Sequence, residues 1–80
     1  MSISEIELFN FLTDQLGVNV SSISRDSALF SSGVIDSFAL ITFMTFLEAE
    51  AGIRISPADV NLSNFDSITR ILNYLDRVSN

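Results

Sequence analysis

Gly33-Val34-Ile35-Asp36-Ser37-Phe38-Ala39-Leu40-Ile41-Thr42-Phe43-Met44-Thr45-Phe46-Leu47-Glu48 joins a Gly-marked loop to a long apolar run through an Asp-Ser pair. The run is too irregular for a strand and reads as a helix from Asp36 or Ser37 to Ala51, with Gly52 as its stop. At about 100° per residue, Leu40, Phe43, Met44, Leu47 and Ala51 share one stripe, and Phe38, Thr42, Thr45 and Ala49 lie opposite. Ile41 and Phe46 widen the apolar surface on both sides. Such a helix is either surrounded by its neighbours or offers a patch to a partner.

Working outward, Ser2/Glu5 and Ser4/Glu7 both have capping-box spacing, which starts a first helix within residues 2 to 5. Leu8, Leu12 and Leu16, flanked by Ile6, Phe9 and Phe11, give it an apolar face, and Gly17 ends it. Residues 18–35 have no sustained period, yet Val18, Val20, Ile23, Leu29, Phe30, Val34 and Ile35 are anchors that a free linker would not carry. This long loop is expected to lie packed across the helices. Beyond Gly52, Ile53-Arg54-Ile55 reads as an extended link and Ser56-Pro57-Ala58-Asp59 as a capped, brief helical turn. A last helix is expected from about Asp66, with Ile68, Ile71, Leu72, Leu75 and Val78 as its stripe.

The composition narrows the chemistry. Eighty residues with 48% hydrophobic and 18% charged side chains form one domain, residues 1–80, with a simple core. Cys, His and Lys are all absent, which removes thiolate, imidazole and amine chemistry and the usual zinc ligands. Ten acidic residues against four Arg leave a net charge of −6, which repels a phosphate backbone and argues against nucleic acid. A partner with a basic rim fits that charge; so does plain solubility of a small, greasy domain. The N-terminal residues lack a basic, then apolar, leader pattern, and Thr42, Thr45, Glu48 and Glu50 interrupt the most apolar stretch. A cytoplasmic, monomeric protein without a membrane span is the expectation.

Ser37 is the one candidate for group attachment, and two local readings of it stand. If Asp36 caps the helix, Ser37 sits at the first helical position, where an attached phosphate would meet the positive end of the helix dipole. Alternatively Ser37 is itself the cap. Asp26-Ser27 and Asp66-Ser67 repeat the dipeptide, so the pair alone does not decide.

The segment Leu29-Phe30-Ser31-Ser32-Gly33-Val34-Ile35-Asp36-Ser37-Phe38, followed by Phe46-Leu47-Glu48, resembles acyl and peptidyl carrier proteins. The likeness extends to Leu16-Gly17-Val18, to Ile53–Asp59 and to Phe65-Asp66-Ser67-Ile68. It implies an all-α, antiparallel four-helix bundle with three long helices, one short third helix and a long structured first loop. It further implies that a phosphopantetheinyl transferase, with magnesium, moves 4′-phosphopantetheine from coenzyme A onto Ser37, which Asp36 would orient while contacting the transferase. A loading enzyme, adenylating or acyltransferring, would then place an acyl or aminoacyl thioester on the arm for downstream enzymes. The protein itself would catalyse nothing and bind no metal.

The departures from the family pattern are specific. Two residues, Val34 and Ile35, separate Gly33 from Asp36, where many fatty-acid carriers have one. The Gly-x-x-Asp-Ser form is more similar to D-alanyl carriers and to discrete carriers of specialised polyketide or nonribosomal-peptide pathways. Phe38 stands where Leu is usual. Ala39, Thr42 and Ala49 occupy positions that are acidic in fatty-acid carriers, leaving Glu48 and Glu50. Partners would accordingly read Val34, Phe38, Ile41, Thr42, Thr45 and Glu48, with few ion pairs; the competing reading is that Phe38 and Ile41 cover the core.

Other candidates fail on spacing. Asp59-Val60-Asn61-Leu62-Ser63 begins like a calcium loop, but Asn64 replaces the turn Gly and Arg70 the closing Glu. Glu5/Glu7 and Glu48/Glu50 are two apart on helices and do not face each other. Tyr74 reads as half-buried. Phe43, Phe46 and Phe65 read as core, with the resemblance adding that such residues could line a space for a short attached chain. The reading of a different class is a small helical interaction module in which Ser37 is only a cap.

Overall fold

The computed structural model describes residues 3–78. Four helices follow in order: α1 Glu5–Leu16, α2 Ser37–Ala51, α3 Leu62–Phe65 and α4 Ile68–Val78. Short 3-10 turns occur at Val20–Ser22 and Pro57–Asp59, and no strand occurs among the described residues. The result is the small all-helical bundle expected from the sequence.

The ends of α1 follow from local chemistry. Ser4 Oγ accepts the Glu7 N–H at 3.2 Å and Glu7 Oε1 accepts the Ser4 N–H at 3.0 Å, a closed capping box. Ser2, the other candidate, lies outside the described residues. Leu8, Phe11 and Leu12 form the buried face, whereas Ile6, a flank of the expected stripe, is 72% exposed. The Phe11 ring stacks on Phe43 and Phe46 of α2, with centroids 5.4 and 4.2 Å away. These contacts pin α1 to α2 through aromatic area rather than charge.

The core gathers Phe43 and Leu47 from α2, Phe65 from α3, and Ile68, Ile71, Tyr74 and Leu75 from α4. Four members come from irregular chain: Ile3, Leu29, Ile35 and Ile55. The first loop is therefore packed, as its apolar anchors require, with Leu29 fully buried. Among the anchors whose side chains are described, Val34 is the exception on the surface.

Three features differ from the sequence reading. The capped helical turn read at Ser56–Asp59 is present, as a 3-10 turn over Pro57–Asp59, but the short third α-helix is a further element, Leu62–Phe65, which the sequence reading lacks. Asn61 starts α3, its Oδ1 accepting the Asn64 N–H at 3.1 Å, and a single turn carries too little of a helical period to be read as one. The last helix begins at Ile68, two residues later than expected, because Ser67 Oγ accepts the Arg70 N–H and leaves the Asp66 side chain free to reach elsewhere. Tyr74 is buried rather than half-buried. Its O–H donates to Asp59 Oδ2 at 2.9 Å, which satisfies the one polar group that would otherwise oppose burial.

Candidate functional site

The start of α2 resolves the two readings of the Asp-Ser pair. Asp36 has extended backbone, its Oδ1 accepts the Ala39 N–H at 2.8 Å, and its carbonyl accepts the Leu40 N–H at 3.0 Å. Asp36 is thus the N-cap, and Ser37 is the first helical residue. The alternative in which Ser37 is the cap does not hold.

The other two pairs are used differently. Ser27 Oγ accepts the Ser24 N–H at 2.9 Å within a loop turn. Ser67 is buried and its hydroxyl caps α4. Each of those serines accepts a hydrogen bond from the chain's own backbone.

The loop that delivers Asp36 is closed by its own hydrogen bonds. Gly33 N–H donates to the Phe30 carbonyl at 3.1 Å, and Ile35 N–H to the Leu29 carbonyl at 2.9 Å. Gly33 adopts φ +82°, in the left-handed region that a side chain resists, so glycine is required for this tight reversal. Ile35 then enters the core immediately before the cap.

The carboxylate of Asp66, 35 to 37 residues away, holds the other side of this loop. Its Oδ1 accepts the N–H groups of Leu29, Phe30 and Ser31 at 3.1, 2.8 and 3.0 Å, and its Oδ2 accepts the Ser31 hydroxyl at 2.7 Å. The Ser31 N–H, working against partial desolvation and aided by the Ser31 hydroxyl and the Phe30 and Leu29 amides, holds the Asp66 carboxyl below its usual range. The sequence reading took Asp66 only as a helix start. No spacing rule connects it to Leu29, since the bond spans two folded segments.

Beside the loop lies an open, mostly apolar groove of about 500 Å³. Gly33, Ile35 and Asp36 of the loop line it together with Leu40 of α2 and Leu62 and Phe65 of α3. Around the same end of the molecule, Phe38 is 84% exposed, Ile41 64%, Leu62 52% and Val34 39%. Phe38 and Ile41 therefore do not cover the core. Thr42, Thr45 and Ala49 are also exposed, so the outer face of α2 is uncharged over that length. Glu48 is not part of this free surface: its Oε2 accepts the Ile55 N–H at 2.7 Å and ties the following link back to α2. Asp59 likewise belongs to its own chain, through Tyr74.

The site offers a capped helix start, the amides of its first turn and an adjacent apolar groove. That set fits a phosphodiester at the first helical position, continued by a chain that can rest against apolar wall. No helix among the described residues is long and apolar enough to cross a membrane.

A family model described as "Phosphopantetheine attachment site" matches residues 7–75, which include both ends of α2 and the whole first loop. No curated protein and no solved structure matches the chain significantly. Members of the matching family are loaded by a phosphopantetheinyl transferase and interact with the enzymes whose intermediates they carry. With a match over most of its length and an all-helical bundle around the Gly-x-x-Asp-Ser loop, the chain belongs to the phosphopantetheine attachment family, non-catalytic carriers of a covalently held 4′-phosphopantetheine.

Proposed function

We propose that Ser37 is the residue that receives the phosphopantetheine, and that the carrier serves a specialised pathway of polyketide or nonribosomal-peptide type. The observation that carries the assignment is the division of labour at the start of α2. Asp36 supplies the cap, and Ser37 follows it at the first helical position, while Ser27 and Ser67 serve their own backbone. The arm would bring the thiol that a chain without Cys lacks, and on it a thioester-bound acyl or aminoacyl group.

Two features favour a specialised pathway over fatty-acid synthesis. Val34 and Ile35 both stand between Gly33 and Asp36, and Ala39, Thr42 and Ala49 stand on α2 where fatty-acid carriers have acids. Enzymes that load and unload such a carrier would dock on Val34, Phe38, Ile41, Thr42 and Thr45, in the cytoplasm. A D-alanyl carrier role shares the same loop spacing and is the nearest alternative.

Intact mass after incubation with coenzyme A, magnesium and a broad-specificity phosphopantetheinyl transferase tests the assignment. One phosphopantetheine is expected on the wild type and none on Ser37→Ala. A gain that persists in Ser37→Ala overturns the residue assignment. Absence of any gain overturns the assignment and leaves a helical interaction module without a prosthetic group.

A further inference from the structure

Asp66 lies in the short turn between α3 and α4, yet four of its contacts go to the loop that precedes α2. The connection can be followed bond by bond. The Leu29 N–H is shared between two Asp66 acceptors, the carboxylate at 3.1 Å and the carbonyl at 2.8 Å. Leu29 in turn accepts the Ile35 N–H at 2.9 Å. Ile35 is anchored in the core, and the next residue is the cap of α2. Asp66 thus stands three links from the residue ahead of Ser37.

A carboxylate that accepts three backbone N–H groups and a hydroxyl makes charge-assisted bonds, stronger than neutral ones. Those four donors sit on three consecutive residues, which have no helix or strand to satisfy them. The upstream part of the loop has its own fastening. Thr69 N–H donates to the Arg25 carbonyl at 2.9 Å, Arg25 Nε donates to Thr69 Oγ1 at 3.1 Å, and Arg25 pairs with Glu5 at 3.3 Å. Loss of the Asp66 side chain would therefore free the Phe30 and Ser31 N–H groups and the Ser31 hydroxyl, just ahead of Gly33, with Arg25 still held and the Leu29 N–H still bonded to the Asp66 carbonyl.

We infer that Asp66 is a positioning residue for loading: through Leu29, Phe30 and Ser31 it holds the Gly33–Asp36 segment in the conformation in which a transferase takes the carrier. The inference rests on Ser37 as the acceptor. Because Asp66 acts by keeping the loop in one conformation, its removal lowers the competent fraction of the carrier. A lower competent fraction raises the apparent KM of the transferase for the carrier and leaves kcat unchanged, since a carrier once bound is the same species.

The test compares the wild type with Asp66→Asn, Asp66→Ala and Ser31→Ala in loading by a phosphopantetheinyl transferase with coenzyme A and magnesium. Amide hydrogen exchange of residues 29–35 is followed alongside. Asp66→Ala should raise KM about tenfold at constant kcat, with faster exchange at Phe30 and Ser31, and Asp66→Asn, which keeps an acceptor oxygen, by about threefold. Ser31→Ala, which removes only the hydroxyl bond, should show a smaller rise. A KM unchanged in Asp66→Asn and Ser31→Ala while the loop amides exchange faster overturns the inference, even if Asp66→Ala does not fold. A change in kcat alone overturns it as well. An unloaded wild type brings down the Ser37 assignment and this inference with it; a loaded wild type with unaffected variants brings down this one alone.

Discussion

Replacing Asp36 separates its structural use from any use by a partner enzyme. In Asp36→Ala the Ala39 N–H loses its acceptor at 2.8 Å, and the start of a 15-residue helix loses a negative charge. Loss of an N-cap to Ala costs about 1 kcal/mol, and loss of an exposed charge at a helix N-terminus about 0.3–1 kcal/mol, so the sum is about 1–2 kcal/mol. In a domain of this size about 1 kcal/mol corresponds to roughly 4–8 °C, so Asp36→Ala should lower Tm by roughly 4–16 °C. Asp36→Asn retains an acceptor oxygen and should lower Tm by less than about 5 °C. Ser37→Ala, at the first helical position, should leave stability within about 0.5 kcal/mol of wild type. Thermal melts followed by circular dichroism measure all three, and intact mass after transferase treatment measures loading. If Asp36 also contacts the transferase, Asp36→Asn loads more slowly although its melt hardly moves. A Ser37→Ala variant destabilised as much as Asp36→Ala would refute the reasoning, because Ser37 would then be the cap.

Two further outcomes follow from the packing and the surface. Burial, then the hydrogen bond to Asp59 and its charge, push the Tyr74 hydroxyl from 10.0 up to about 12. The phenol is favoured in the folded state, so its stabilisation is fully present below pH 10 and is lost as pH rises from 10 toward 12. Tyr74 is the sole tyrosine, so tyrosinate absorbance reports it alone, and urea unfolding across that window should weaken in the wild type but not by this route in Tyr74→Phe. On the surface, Phe38→Ala should weaken binding to a loading enzyme about tenfold with stability changed by less than about 0.5 kcal/mol. Binding of the wild type should shift less than about twofold when salt rises from about 20 to about 500 mM, because apolar contacts are not screened; a many-fold loss would show that ion pairs carry the interface.

What could be read from the sequence is what neighbouring residues decide among themselves. Ser4/Glu7 and Gly17 bound α1, and Gly52 bounds α2, because each cap involves residues within one or two turns. The apolar anchors Leu29 and Ile35 announced a packed loop because no solvated linker needs them. The stripe of α2 was legible, with Phe43 and Leu47 buried and Phe38, Thr42, Thr45 and Ala49 exposed opposite it; what the sequence left open was whether Phe38 and Ile41 are covered, and packing of Phe11 on Phe43 and Phe46 left them outside. Asp66, Glu48 and Tyr74 were illegible for a different reason. Their partners are Ser31, Ile55 and Asp59, and a polar side chain's partner across folded segments leaves no periodic trace.

The three Asp-Ser pairs show why a motif of two residues cannot by itself mark an attachment site. Where α4 begins, Ser67 takes the cap and Asp66 is left to bind another segment. Where α2 begins, the helix starts one residue earlier relative to its pair, Asp36 takes the cap and Ser37 becomes the first helical residue. That single shift of register decides which member serves the backbone. It is set by the residue ahead of each pair: Ile35, buried and bonded to Leu29, delivers the chain to α2 already extended at Asp36. Phe65, buried against Tyr74 at the end of α3, delivers it to α4 with Asp66 still closing the preceding turn, its N–H donating to the Leu62 carbonyl. The distinction between a serine at the first helical position and one that caps thus lies in what the preceding segment packs against, and ahead of α2 that segment is bonded to Asp66.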